Sequence, residues 1–316
     1  MLQFVLSLLL TSVVSQVPPG TPKNEESSNV RVMTLNVWES GLNVEDGHQK
    51  IAKHIEMVNP DVVALQEVYL KEAENITKML GPDWTYVEHP SENYPDLAIL
   101  TRHHIIPNTF TYTYYGIGCT IMLENGRVVN VWNVHLDYWH YGPSEAFKEN
   151  VANVSQILAT EFIHRVPGLF EIINSPVFQT WLSETSEIPI IFCGDFNAPS
   201  HLDWAEETKS IHNNWVVEWP ATKYLESNGF IDSFREVYPN VLENPGFSWS
   251  TVHDHSDKSS YTGPEERLDF IFYTGQLSVL QSIMYAGSEP IEKMPNHKKN
   301  DWPSDHYAFF TDFRFL

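Results

Sequence analysis

The apolar run Ile190-Ile191-Phe192-Cys193 ends abruptly in Gly194-Asp195-Phe196-Asn197-Ala198-Pro199. It reads as a buried strand that stops and presents a carboxylate and a carboxamide at its C-terminal lip. On an extended backbone Asp195 and Asn197 lie two apart and face the same side. Aspartate is depleted in strands. Taken alone, the motif is equally a strand-to-turn cap whose side chains bond the turn. The same event recurs along the chain, however. Asn36, Glu67, His135, Asp269 and the Asp305-His306 pair each follow or sit within an apolar run. Six strand ends bearing an acid, an amide or an imidazole point to one pocket where they converge.

The chemistry that needs this set is metal-assisted hydrolysis of a phosphate ester. A hard cation such as Mg2+ prefers oxygen ligands and takes one or two carboxylates while keeping waters. Glu67 is the best candidate ligand. A water attacking phosphorus needs a base, and Asp195 can serve. Asn197 and Asn36 can bond water or phosphoryl oxygens without adding repulsive charge. Protonated His135 and His306 can stabilise developing negative charge, and a buried acid beside each imidazole would orient it and favour its charged form. Asp269 is the candidate acid for His306. Carboxylates gathered in a dry site repel one another, so their convergence itself implies a cation.

The elements that must position these groups follow in order. Residues 30–35 and 62–65 read as strands, separated by a helix from His48 that Asn59-Pro60 stops. A helix over 72–80 is closed by Gly81-Pro82. Short strands follow near 84–87, 97–100, 110–114, 119–123 and 128–134, with Asn125-Gly126 as a hairpin turn. Ser144 is expected to cap a long helix reaching about His164. A second helical segment over 169–182 carries Leu169, Ile173, Val177 and Trp181 on one stripe, interrupted by Pro176. It faces either the core or a membrane. After the strand at Ile190 come a Trp-rich connection (Trp204, Trp215, Trp219) and a short strand at 229–231. A long polar loop over 243–266 follows, of the kind that is usually functional or mobile. Its His253 and His255 are either metal ligands or solvated. Strands over 267–273 and 277–285 and a final strand close the chain. There is no repeat and no interior linker. The intermixing predicts one α/β domain with sheets packed inside helices.

Composition bounds the rest. The 316 residues are 42% hydrophobic, ample for a packed core. Forty-one acids against 19 bases give a net charge of −22, which repels polyanions at long range. No Lys/Arg cluster supplies the basic face of a bulk nucleic-acid binder. Residues 1–16 read as a secretory signal peptide, too short in its apolar run to span a bilayer. Residues 17–28 read as a flexible arm and 29–316 as the catalytic domain. The sequons at Asn75 and Asn153 fit a secreted glycoprotein. Cys119 and Cys193 are either a disulfide or buried free thiols.

Six segments together resemble the endonuclease/exonuclease/phosphatase superfamily. They are Thr34-Leu35-Asn36-Val37-Trp38, Leu65-Gln66-Glu67, Asn133-Val134-His135-Leu136-Asp137, Gly194-Asp195-Phe196-Asn197, Arg267-Leu268-Asp269-Phe270 and Ser304-Asp305-His306. The resemblance implies a four-layer α/β sandwich, two central mixed sheets flanked by helices. It implies Glu67 as principal Mg2+ ligand (Mn2+ as substitute), with Asn36 near the metal and Asp305 as a second metal-side carboxylate. It further implies Asp195 as the group that activates water and Asn197 as a phosphate contact. The resemblance also implies His135 and His306 as the imidazoles that stabilise the transition state, and Asp269 as the acid paired with His306. Asp137 and Tyr138, beyond the shared motifs, either line the pocket or pack. The expected activity is hydrolysis of phosphoric esters. Nuclease and sphingomyelinase specificities remain within that chemistry, a catalytically inactive binding module on the same fold is the other class, and membrane contact and oligomeric state stay open.

Overall fold

The computed structural model describes residues 29–148, 151–255 and 263–316. The expected signal peptide and arm lie outside them, as does part of the 243–266 loop.

Strand β1 (Asn29–Asn36) is followed by α1 (Gly47–Val58), β2 (Val62–Val68), α2 (Glu72–Leu80), β3 (Thr85–Glu88) and β4 (Asp96–Thr101). Next come β5 (His104–Ile105), β6 (Thr111–Thr113), β7 (Gly116–Met122) and β8 (Val128–His135). Five helices succeed one another: α3 (Gly142–Ala146), α4 (Val154–Leu158), α5 (Glu161–His164), α6 (Val166–Ile173) and α7 (Pro176–Ser183). The rest is β9 (Ile190–Asp195), α8 (Pro220–Ser227), β10 (Ile231–Asp232), α9 (Ser233–Val237), β11 (Asp269–Thr274), β12 (Leu277–Tyr285) and β13 (Ala308–Phe315).

These strands form two mixed sheets. One has the order β12-β13-β1-β2-β4-β3, the other β10-β11-β9-β8-β7-β5 with β6 added on β7. The only parallel neighbours among the described strands are β1/β2 and β8/β9. Alternation then builds the layers, because successive side chains on a strand point to opposite faces. Val32, Val62, Ile99, Cys193, Ile191 and Val131 point inward and form the core between the sheets. Met33, Val63 and Leu100 point the other way, against Ile51 and Ile55 of α1 and Ile76 of α2. On the far sheet Trp132, Ile190 and Phe192 point out against Leu169 of α6, Phe178 of α7 and Leu225 of α8. Helix, sheet, sheet, helix is the expected four-layer sandwich.

Two helical expectations are corrected. The stretch expected to run unbroken from Ser144 to His164 is three short helices. Tyr141, not Ser144, precedes the first, and the Asn153 side chain accepts from Gln156 N, capping a new start at α4. The four-residue stripe across 169–182 also breaks. Pro176 opens α7 under a Ser175 cap, so the helical phase resets. Trp181 stays buried while Val177 is 40% exposed. Leu169 and Trp181 face the core, and no helix among the described residues is long and apolar enough to cross a membrane.

Cys119 and Cys193 are free thiols, both buried. They lie on β7 and β9, with β8 between them. Two strand spacings, roughly 9–10 Å, exceed what a disulfide spans.

The connection after β9 is held by charge. Asp203 accepts from Arg235 Nε at 2.6 Å and from Arg267 Nε at 2.8 Å, and Arg267 also pairs with Asp232 at 2.8 Å. All four are buried. Removing one acid leaves a buried guanidinium uncompensated, which costs roughly 3–5 kcal/mol. Asp203→Ala is therefore expected to lower the unfolding free energy by about that amount in a denaturant titration, whereas an exposed acid such as Glu207 exchanged for Ala should change it by about 0.5 kcal/mol or less.

Candidate active site

The parallel pairs determine where the site lies. β1, β2, β8 and β9 all end at one rim of the sandwich, delivering Asn36, Glu67, His135 and Asp195 there. Their antiparallel neighbours begin at the same rim, so Asp269 stands opposite Asp195 in register. Asp96 opens β4 beside the end of β2, and Asp305-His306 precede β13. Two of the six expected strand ends, Asp269 and the Asp305-His306 pair, are thus strand beginnings, which an antiparallel neighbour makes equivalent.

The side chains meet on Asp195. Asn36 Nδ2 donates to Glu67 Oε1 at 2.9 Å and to Asp195 Oδ2 at 3.1 Å, while Asn36 Oδ1 accepts from Trp38 N. His135 Nε2 and His306 Nε2 stand 3.7 and 3.8 Å from the same Asp195 oxygen. His306 Nδ1 donates to Asp269 Oδ2 at 2.9 Å, the partnership expected of it. Asn197 lies past the strand end with φ 47, not extended as its spacing suggested. Its backbone N–H bonds Asp195 Oδ1 and its Nδ2 donates to Leu136 O. The turn-capping reading and the functional placement therefore hold together, since both residues line the cleft. Gly194 has φ 142, and a Cβ there would collide with Val134 O of β8, which is why glycine precedes the aspartate. Glu67 sits at a register shift between Gln66 and Val68 with φ 61. That bulge turns its carboxylate toward the rim, where Glu39 N donates to it at 2.7 Å.

The second imidazole partner is Asp96, which sequence reasoning missed. His135 Nδ1 donates to it at 2.9 Å. The only trace in the sequence is an acid before Leu97-Ala98-Ile99-Leu100, without a polar neighbour to mark it. Trp249 was also missed. It pairs with Glu266 and with His306 through isolated bridges, and its Nε1 donates to Asp305 Oδ2 at 3.0 Å. His255, in the same loop, bonds Ser250 N and Gly263 O, so its two ring nitrogens serve the loop's own backbone.

Electrostatics follow from burial. Burial alone would lower the His135 pKa, but Asp96, Asp195 and Glu67 reverse this and raise it to about 10. His306 is likewise desolvated yet held well above 6.5 by Asp269, Asp305 and Asp195. Burial and the nearby Asp269 raise the Asp195 carboxyl, opposed by both imidazoles. Burial, with Glu67 adding to it, raises Asp305 to about 6. Both imidazoles are thus cations at neutral pH, and the acids are crowded.

A hard divalent cation fits this donor set. Asp305 Oδ1 is buried and has no hydrogen-bond partner among the described residues, and Glu67 is the carboxylate beside it that raises its pKa. Asp195, Asp269 and His306 also bring ligand-type atoms within 4.8 Å of one another. There, however, His306 Nδ1 already donates to Asp269 Oδ2, so the Glu67–Asp305 side, where Asp305 Oδ1 is unpartnered among the described residues, is the candidate seat for the ion.

The whole forms a cleft of about 930 Å³. Asp137 and Tyr138 both line it. The Asp137 carboxylate takes His164 Nδ1 at 2.8 Å and Trp139 N at 2.8 Å, while Tyr138 is 62% exposed at the mouth.

The chain belongs to the endonuclease/exonuclease/phosphatase family, whose model matches residues 33–306. Members hydrolyse phosphoester bonds and generally use divalent metals. An uncharacterized protein of Caenorhabditis elegans is 51% identical over 292 residues, covering 92% of this chain and 93% of its own length. Among solved structures, a truncated TDP2 of Caenorhabditis elegans is similar at TM-score 0.55 and 18% identity, covering 90% of this chain and 98% of its own. The human Nocturnin catalytic domain with bound sulfate is similar at 0.53 and 18%, covering 92% and 95%. At such identities these structures share the fold.

The Asp96–His135 pair gives a pH signature. A histidine whose folded pKa exceeds its unfolded value stabilises the fold below the unfolded value, here 6.5, and that stabilisation is lost as pH rises through about 10. The stability difference between the native chain and Asp96→Asn is expected to be largest near pH ~6 and to shrink toward pH ~10, read by chemical denaturation across that range. An NMR titration should show the His135 imidazole of Asp96→Asn titrating at lower pH than in the native chain.

Proposed function

We propose that this protein is a secreted, Mg2+-dependent hydrolase of phosphoric esters that works by in-line attack of water. The observation that carries the reading is the convergence on Asp195 Oδ2 of one amide and two charged imidazoles, each imidazole backed by its own acid.

Asp195 accepts the proton of the attacking water at Oδ2, a role helped by its raised pKa. The water oxygen forms its bond to phosphorus as the P–O bond to the leaving group breaks. His135 Nε2 and His306 Nε2 carry protons into the space beside that oxygen and stabilise charge on the phosphoryl group. Asp96 and Asp269 hold the two rings in their charged, correctly turned forms. Asn36 keeps Glu67 and Asp195 apart by donating to both, and Asn197 holds the Asp195 lip in place. Glu67 and Asp305 would hold the divalent ion, with Asn36 behind Glu67. When bound, that ion supplies positive charge for the phosphoryl oxygens and offsets the crowded acids.

A long polyanion is disfavoured, since the cleft lining contains neither Lys nor Arg. Secretion rests on residues 1–16 and on the two sequons.

Asp195→Asn and His306→Ala are each expected to cut kcat/KM on a soluble aryl phosphodiester by roughly 10³-fold or more while circular dichroism stays native. Chelation should abolish native turnover and added Mg2+ restore it. Near-native turnover by either folded variant would refute the roles assigned.

A further inference from the structure

The wall of the cleft beyond His135 is unlike the rest. Its backbone leaves the catalytic histidine and turns outward: His135 N donates to Tyr115 O at 3.0 Å, and Tyr115 OH reaches Asp137 at 3.5 Å. Tyr114 packs edge-on against Tyr115, with ring centroids 4.7 Å apart. Tyr138 and Trp139 stack at 5.0 Å and 27°. They are 62% and 59% exposed, and Tyr114 is 77% exposed. Four large rings lining the cleft, three of them exposed, are not required by phosphoryl chemistry.

The wall is also fixed in advance. Buried Arg165, paired with buried Glu161, donates to the carbonyl oxygens of Asp137 at 3.1 Å, Trp139 at 2.5 Å and His140 at 2.8 Å. A charged group from the helical layer thus holds residues 137–140 in one shape, and with them the Tyr138–Trp139 pair.

Charge then selects the ligand. Glu39, Glu67, Asp96, Asp137, Asp195 and Asp305 all line the cleft, and no Lys or Arg does. Aromatic faces are negative and attract cations. A cation on this wall meets ring faces and a negative field together, whereas an additional anion meets repulsion. The Asp137 oxygens are already taken by Tyr115, His164 and Trp139 donors. A group that needs no hydrogen-bond acceptor therefore fits better than a primary ammonium.

We propose that Tyr114, Tyr115, Tyr138 and Trp139 form a receptor wall for a quaternary ammonium, so that the substrate is a phosphodiester bearing a choline-type ester group. This rests on the hydrolase reading for its reaction but not for its binding. Trp139 is four positions past His135, and Tyr114, Tyr115, Tyr138 and Trp139 line the same cleft as Asp195, so the phosphate and the ammonium of its ester group would share one cleft.

The test has two independent arms on the purified full chain. The first is calorimetric titration with choline, and with the uncharged isostere 3,3-dimethylbutanol, in the presence of chelator. Saturable choline binding is expected, with binding of the isostere weaker by about 5-fold or more. The second is turnover with Mg2+ of p-nitrophenylphosphocholine, methyl p-nitrophenyl phosphate and thymidine 5′-p-nitrophenyl phosphate. The cationic ester is expected to lead the methyl ester in kcat/KM by about 10-fold, and that ratio to fall about 3- to 10-fold in Trp139→Leu and in Tyr114→Ala. Both residues are exposed, and circular dichroism checks the fold of each variant. Phosphocholine-lipid vesicles run beside soluble glycerophosphocholine identify which source of the headgroup is used. Choline binding without turnover of any ester would refute the hydrolase reading and leave the wall standing. Turnover with no choline binding and no preference for the cationic ester, or with preference for the nucleoside ester, would overturn the wall and leave the hydrolase.

Discussion

Asp195 is a carboxylate removed from water, and the fold is arranged so that it can remain one. A buried charge survives only if donors and opposite charges replace its solvent. Here they come from both sheets. Asn36 arrives from β1, His135 from β8, and His306 from the segment entering β13. Neither sheet alone surrounds Asp195. The two are tied just behind it by a polar clamp: Gln66 Nε2 donates to Asn133 Oδ1 at 2.7 Å, and Asn133 Nδ2 bonds the carbonyls of Leu65 and Ala98. In an interior otherwise made largely of apolar side chains, this directional clamp gives the packing of the two sheets a definite register.

The site was legible in the sequence because strands there end on chemistry. A continuous apolar run that stops at an abrupt acid or imidazole is visible without coordinates, as at Ile190 to Asp195. Pairing between the two sheets is not visible. Asp96 bonds His135 from 39 residues away, and nothing beside Asp96 marks it as different from any acid opening a strand. Trp249 reaches Asp305 from inside a polar loop by an indole N–H, which composition reads as a solvated segment. The helical misreadings share a cause. Periodicity assumes a continuous phase, and the Asn153 and Ser175 caps reset it.

Two kinds of charge meet in the cleft, and they are organised differently. The imidazolium cations are deep, each braced by an acid behind it, and they concern the phosphate. The exposed rings, with the bonded Asp137 carboxylate among them, lie beyond the imidazoles and concern whatever the phosphate is attached to. Arg165 links these zones to the scaffold without entering either: its charge is spent on Glu161 and on three backbone carbonyls. The rim shape is therefore set by the helical layer, while the reactive centre is set by the sheets.

The two thiols sit where neither layer of function reaches. Cys119 and Cys193 belong to the core between the sheets, and burial raises their pKa values, Cys119 to about 12 and Cys193 further. An alkylating reagent needs an exposed thiolate, so each sulfur is silent until the sheets part. Labelling kinetics then become a clock for interlayer breathing, one that runs without metal or substrate and whose signal owes nothing to the cleft.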